Sequence, residues 1–205
     1  MTRCLSCGGN AINLSLIPVV ELHRKENNIV TAWEMSTYGS TLNFLRSTIA
    51  NVIESEYFSD KASGILIGGI LNQDVQNLSF ENSSIDLITS NHVFEHVPDD
   101  ILGYSECYRV LRRNGALIFS VPLYDTQKTE MLAEVINGHV VFVKKPPEYH
   151  HSRIGGVNSA LTFWRHSVND ICERAAQAGF DVQIVDITIC PSQKIPTKVI
   201  YAVKK

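Results

Sequence analysis

Residues 84–122 constrain the fold more than any other part of this chain. Residues 85–89 are a short apolar run bounded by polar residues, which predicts a buried strand ending at Ser90, Asn91 and His92. Asp99 and Asp100 then open an amphipathic segment in which Ile101, Tyr104, Tyr108 and Leu111 can share one face. Arg109, Arg112 and Arg113 close it. Acids at the start and bases at the end complement the helix dipole, so a helix is expected over residues 99–112. Asn114-Gly115 reads as a turn and residues 116–121 as a second buried strand. In an open α/β sheet, ligands sit just beyond the C-terminal ends of parallel strands. A site is therefore expected around residues 90–96, where His92, Glu95 and His96 cluster.

The rest of the chain repeats the alternation. Residues 29–35 are strand-like, and residues 36–39 form a loop. Ser40 or Thr41 can cap a helix in which Leu42, Leu45 and Ile49 recur. Residues 51–57 make a second strand with an acidic end. Residues 65–72 are apolar around Gly68-Gly69, either a bulged strand or a turn. Residues 167–179 read as a helix capped by Ser167 and ended by Gly179, and residues 180–187 and 198–203 as strands of an antiparallel final hairpin. This order predicts a Rossmann-like, doubly wound α/β sheet. A chain of 205 residues suits one domain, set at residues 29–205 after an N-terminal arm at 1–28, where Pro18 limits any helix. Residues 123–166 are too long for an ordinary connection and read as an insertion of the lid or binding-loop kind, with a helix over 129–136 and a strand over 139–143.

Composition excludes several classes. A net charge of -3 offers no basic field for a nucleic acid backbone. No apolar run reaches the length of a membrane span, and the first residues do not make a convincing signal peptide, so no membrane partner and a cytoplasmic setting are expected. Five cysteines, an odd number, argue against a disulfide framework. Cys4 and Cys7 have the spacing of half a zinc ribbon, but no second pair follows to complete four ligands. Cys107 and Cys172 fall within helical patterns as core residues.

Five constellations carry possible chemistry. Glu34, Ser36 and Gly39 close the first strand, at a corner where backbone can approach a ligand and helix N–H groups can face it. Glu54 and Glu56 close the second strand, and a carboxylate there can accept two hydrogen bonds from a ribose diol. Asp74 follows the third strand and can meet an adenine amino group or cap a turn. His92, Glu95 and His96 form H-x-x-E-H, but they follow a strand and precede Pro98 with little helix to hold a metal, so structural roles for Glu95 and His96 are preferred and no metal ligand is assigned. In the insertion, His150 lies among Glu148, Tyr149, His151 and Arg153 and is the better candidate for a general base.

Phe80, Ser84, Asp86, Val93, Glu95, His96, Val97, Asp99, Glu106, Arg109, Val110, Leu111 and Gly115 together resemble the central motifs of class I S-adenosylmethionine-dependent methyltransferases, the methyltransferase type 11 group. The resemblance implies a seven-stranded, mostly parallel sheet with an antiparallel last strand, and S-adenosylmethionine as cofactor. It places Glu34, Ser36 and Gly39 near the methionine part, Glu56 on the ribose and Tyr57 beside the adenine. Asp74 and Val75 would meet the adenine edge, and Asn91 and His92 the methyl-bearing sulfur. The family's first loop is usually E/D-x-G-x-G-x-G. Here it keeps the acid and one glycine, with Tyr38 where backbone is expected. Methyl transfer to a small-molecule or saccharide acceptor is implied, and an inactive binding or scaffold protein on the same fold is the alternative. An oxygen acceptor needs a base, for which His92 and His150 are the candidates.

Overall fold

The computed structural model describes residues 11–152, 154–188 and 197–205. Cys4, Cys7, Arg153 and the turn at 191–196 lie outside the described residues. The main sheet contains β1 (Thr31–Glu34), β2 (Asn51–Glu56), β3 (Leu66–Ile67), β4 (Ile70–Asn72), β5 (Ile85–Asn91), β6 (Leu111–Ser120), β7 (Asp181–Ile187) and β8 (Thr197–Val203). Their spatial order is β7-β8-β6-β5-β1-β2-β4-β3. From β4 to β6 neighbouring strands are parallel, and β8 runs antiparallel to both β6 and β7. The sheet has eight strands rather than the seven expected. The addition is β3, formed because Gly68 and Gly69 both take positive φ and turn residues 65–72 into a tight hairpin.

Both faces of the sheet are covered. Helix α1 (Ala11–Glu26) packs Leu16, Val19 and Val20 against Ala32, Leu87 and Ile118 on one face, together with Leu45 of α2 (Ser40–Thr48). Helices α3 (Asp100–Val110) and α4 (Ile171–Ala176) cover the other face with Tyr104, Cys107 and Ile171 against Trp33, Ile88 and Leu117. Adjacent residues of β1 and β5 thus point into different apolar layers, which explains why these strands read as continuous apolar runs. Much of the segment read as an arm is α1, which runs through Pro18 instead of stopping there. The missing backbone bond costs about 3 kcal/mol. Three fully buried aliphatic side chains, at roughly 1.5–3 kcal/mol each, offset it.

Helix α3 starts where its acids suggest. Asp99 is the N-cap, its Oδ1 accepting from the Leu102 N–H at 2.9 Å. It ends at Val110, before the expected Arg112, because Leu111 is already extended (φ -69, ψ 141) and opens β6, within which Asn114 turns at φ 63. Gly115 is required there, since a Cβ would come within 2.8 Å of the Asp86 carbonyl oxygen.

The insertion is built of strands. The expected helix over 129–136 is instead Glu130–Met131 and Ala133–Ile136, the second paired with His139–Phe142. Asn137-Gly138, both at positive φ, is the hairpin turn that overrides the helical pattern. A second hairpin joins Tyr149–Ser152 to Gly156–Leu161. Trp164–Ser167 pairs with Leu123–Tyr124 and Glu130–Met131, so Ser167 does not cap a helix. Its N–H goes to Thr129 Oγ1 and its hydroxyl to the Thr126 carbonyl, and α4 begins only at Ile171.

Candidate active site

The C-terminal ends of β1, β2, β4 and β5 open on a cleft of about 240 Å³. Trp33 forms part of its floor, its indole N–H donating to Ser55 Oγ at 2.9 Å. The loop after β1 holds its shape without a run of glycines. The Ser36 hydroxyl lies 2.8 Å from Glu34 Oε1 and 3.0 Å from the Tyr38 carbonyl, and Thr37 donates both its N–H and its hydroxyl to Glu56 Oε1, at 3.0 and 2.6 Å. These bonds tie the end of β1 to the end of β2.

Ser36, Glu56, Tyr57, Asp74, Val75, Asn91 and His92 all line this cleft, although they come from four separate segments. Asp74 also accepts from the Gln76 N–H at 2.9 Å, so it shapes a turn while facing the cleft. Asn91 Oδ1 accepts from the Ser120 hydroxyl at 3.0 Å. His92 sits at φ 55, its N–H bonded to the Ser120 carbonyl, which swings the chain out of β5 towards the cleft.

Three candidates lie elsewhere. Glu34 is below the floor, 1% exposed, accepting from the Thr89 and Ser36 hydroxyls, and burial pushes its carboxyl up to about 7. Gly39 is the N-cap of α2 at φ 112, a conformation that needs glycine, and is not a lining residue. Neither Ser40 nor Thr41 caps that helix; the Thr41 hydroxyl bonds the Asn13 carbonyl. His150 is also outside the lining. An irregularity in strand pairing between His150 and Ser152 brings His151 and Ser152 to the cleft instead.

Sequence reasoning missed Trp33, Gln73, Gln76, His151 and Ser152 as lining residues. Trp33 carried a signal, because it immediately precedes Glu34 at a strand end. The insertion residues carried a coarser one, as part of an expected lid or binding loop, and only the folded hairpin shows that His151 and Ser152 rather than His150 line the cleft.

The cleft wall beside His92 is the turn Phe94–His96. The insertion is pinned to this turn. The Phe163 N–H donates to the Glu95 carbonyl, and the Trp164 indole N–H to the Val97 carbonyl, both at 2.8 Å. His96 Nδ1 donates to the Leu161 carbonyl at 2.8 Å. The Glu95 side chain is buried, and burial pushes its carboxyl up to about 8. Burial lowers His92 to about 4 and also lowers His96, with His150 adding repulsion to both. At neutral pH both rings are therefore uncharged, with lone pairs available to a proton or another electrophile.

Residues 37–119 match the family model described as a methyltransferase domain. No sequence among curated proteins matches the chain. Solved structures do match in fold. An S-adenosylmethionine-dependent methyltransferase from Mesorhizobium loti is 14% identical, with 90% of this chain and 96% of that chain covered and a TM-score of 0.56. One from Aquifex aeolicus is 11% identical, with 96% and 94% covered and a TM-score of 0.56. The 1,6-didemethyltoxoflavin-N1-methyltransferase of Burkholderia thailandensis, solved with 1,6-didemethyltoxoflavin and S-adenosylhomocysteine bound, is 12% identical, with 95% and 79% covered and a TM-score of 0.60. The fold is that of the class I S-adenosylmethionine-dependent methyltransferases. Its central segment, residues 37–119, is similar to the methyltransferase domain of that family model.

Proposed function

We propose that this chain transfers the methyl group of S-adenosylmethionine to a small-molecule or saccharide acceptor. The observation that carries the reading is the gathering of Glu56, Asp74, Asn91 and His92 around one cleft at the strand ends. Glu56 Oε1 is engaged by Thr37, so Oε2 is the oxygen for a ribose hydroxyl. Tyr57 stands beside the adenine, with Asp74 and Val75 at its edge. Asn91 and His92 then flank the sulfonium. Its methyl carbon is already activated, so the protein's task is to align acceptor, carbon and sulfur and to exclude water. His92 takes the proton of an oxygen acceptor. His151 and Ser152, from the insertion, face the acceptor side. Among the described residues no helix is long and apolar enough to cross a membrane. A cytoplasmic setting and the absence of a nucleic acid partner belong to the same reading.

A second reading, a binding protein without catalysis, is favoured by one observation. Tyr38 lines the cleft where the family's loop carries glycines. Methyl transfer itself separates the two. S-adenosylmethionine with a labelled methyl group is incubated with panels of hydroxylated small molecules and saccharides. Label in an acceptor, lost in Asn91→Ala, is expected. Cofactor binding with no label transferred to any panel member would instead favour the second reading.

A further inference from the structure

Beside the cleft, three imidazoles converge on one buried carboxylate. Glu95 is 1% exposed, and neither of its carboxylate oxygens has a hydrogen-bond partner among the described residues. A native fold rarely leaves both oxygens of a buried acid unsatisfied, and such a group calls for an explanation. Glu95 Oε1 lies 3.5 Å from His92 Nδ1, 3.8 Å from His96 Nε2 and 3.9 Å from His150 Nδ1. These separations are too long for hydrogen bonds. They are close to the spacing of neighbouring ligands around a small cation, roughly 3.0–3.5 Å for bonds of about 2.0–2.2 Å. The ligand atoms of Glu95, His96 and His150 all fall within 4.8 Å of one another.

The outer contacts orient the rings for this task. The Leu161 carbonyl can only accept, so His96 carries its proton on Nδ1 and turns the Nε2 lone pair towards Glu95. His150 has Nε2 3.4 Å from Glu148 Oε1 and Nδ1 3.9 Å from Glu95 Oε1, so Nδ1 is the ring nitrogen on the Glu95 side. Glu148 is itself held by Arg165 at 2.7 and 2.9 Å. A carboxylate or carbonyl behind each histidine is the usual second layer of a metal site.

We propose that Glu95, His96 and His150 bind one divalent first-row transition ion. Imidazole nitrogens and a single carboxylate suit such ions better than magnesium or calcium, which prefer all-oxygen sets. H-x-x-E-H lacked a helix to hold it and a third histidine to complete it. The turn Phe94–His96 replaces the helix, and the insertion supplies His150. His92 and His96 both also line the cleft, so the remaining coordination position faces it. There the ion holds a hydroxyl oxygen of the acceptor. That last role rests on the methyltransferase reading, whereas the ion site itself does not.

The test uses the full chain, stripped with a chelator, and titrates Co2+ by visible absorption and Zn2+ by calorimetry. One ion per chain is expected, with ligand-field bands from the bound Co2+. His150→Ala is expected to weaken binding at least ~10-fold, a magnitude seen even for outer contacts of metal sites. Glu95→Gln, nearly the same size, is expected to do the same. The proposal is overturned if the wild type binds no stoichiometric ion, or if His150→Ala leaves the affinity unchanged. S-adenosylhomocysteine is titrated into the same stripped protein. Nucleoside binding without ion binding defeats the ion and leaves the methyltransferase reading in place. Ion binding without nucleoside binding supports the site and defeats that reading.

Discussion

Glu34 and Glu56 end adjacent parallel strands yet do different work. Glu34 sits where water does not reach and accepts from two hydroxyls. Its folded pKa is raised from 4.5 to about 7. Below about pH 4.5 the group is protonated in both folded and unfolded chains and has no effect on stability. As pH rises from there to about 7, only the unfolded chain ionises freely, and the fold loses on the order of 3 kcal/mol. Glu34→Gln is therefore expected to gain stability relative to wild type across that window and to hold the gain above it. Urea denaturation at a series of pH values measures the difference; a gap that does not change with pH would contradict the assignment. Glu56 faces the cleft and keeps one oxygen for a ligand. Glu56→Ala is expected to weaken S-adenosylhomocysteine about 10-fold or more, as for loss of a hydrogen bond to a charged group. Equal affinities in a binding titration would remove Glu56 from the ribose.

At the scale of elements, α4 has only six residues and does not stand on intrinsic helix stability. It is fastened to the first turn of α3 through Arg174, whose guanidinium donates to both oxygens of buried Asp100, at 2.5 and 3.1 Å, while stacking over Trp164. Burial raises the Asp100 carboxyl even with Arg174 beside it. Arg174→Ala would leave that acid unpaired, and a loss of about 3–5 kcal/mol is expected from urea midpoints. A loss below about 1 kcal/mol would show that the pair is dispensable. The parallel units were legible in the sequence because β1, β5 and β6 carry apolar runs and α3 carries charges that match its dipole. The insertion was legible only in part, in its strand over 139–143, which is present as His139–Phe142. Helical spacing over 129–136 was outvoted by Asn137-Gly138, and Ser167 spends its hydrogen bonds on Thr126 and Thr129 rather than on a helix end. Strand ends located Glu56, Asp74, Asn91 and His92. The grouping of His150 with Glu95 and His96 depends on a long-range docking that local pattern does not encode.

Over the whole molecule, the sheet builds the side of the cleft suited to a nucleoside, and the insertion builds the opposite wall. Phe163, Trp164 and Leu161 all bind the segment 95–97, so the two walls are fixed to one another by one backbone bond and two side-chain-to-backbone bonds. Trp164→Phe keeps the ring but removes the bond to the Val97 carbonyl. It is expected to cost about 1–3 kcal/mol for the carbonyl left unsatisfied. Thermal unfolding measures it, and an unchanged midpoint would show that the insertion is held elsewhere. The central claim is that the corner from Glu34 to Gly39, with one glycine and Tyr38, still supports a nucleoside cleft. A calorimetric titration of the full chain with S-adenosylhomocysteine tests it most directly. One-to-one binding that weakens in Glu56→Ala is expected; no binding at millimolar ligand would contradict it.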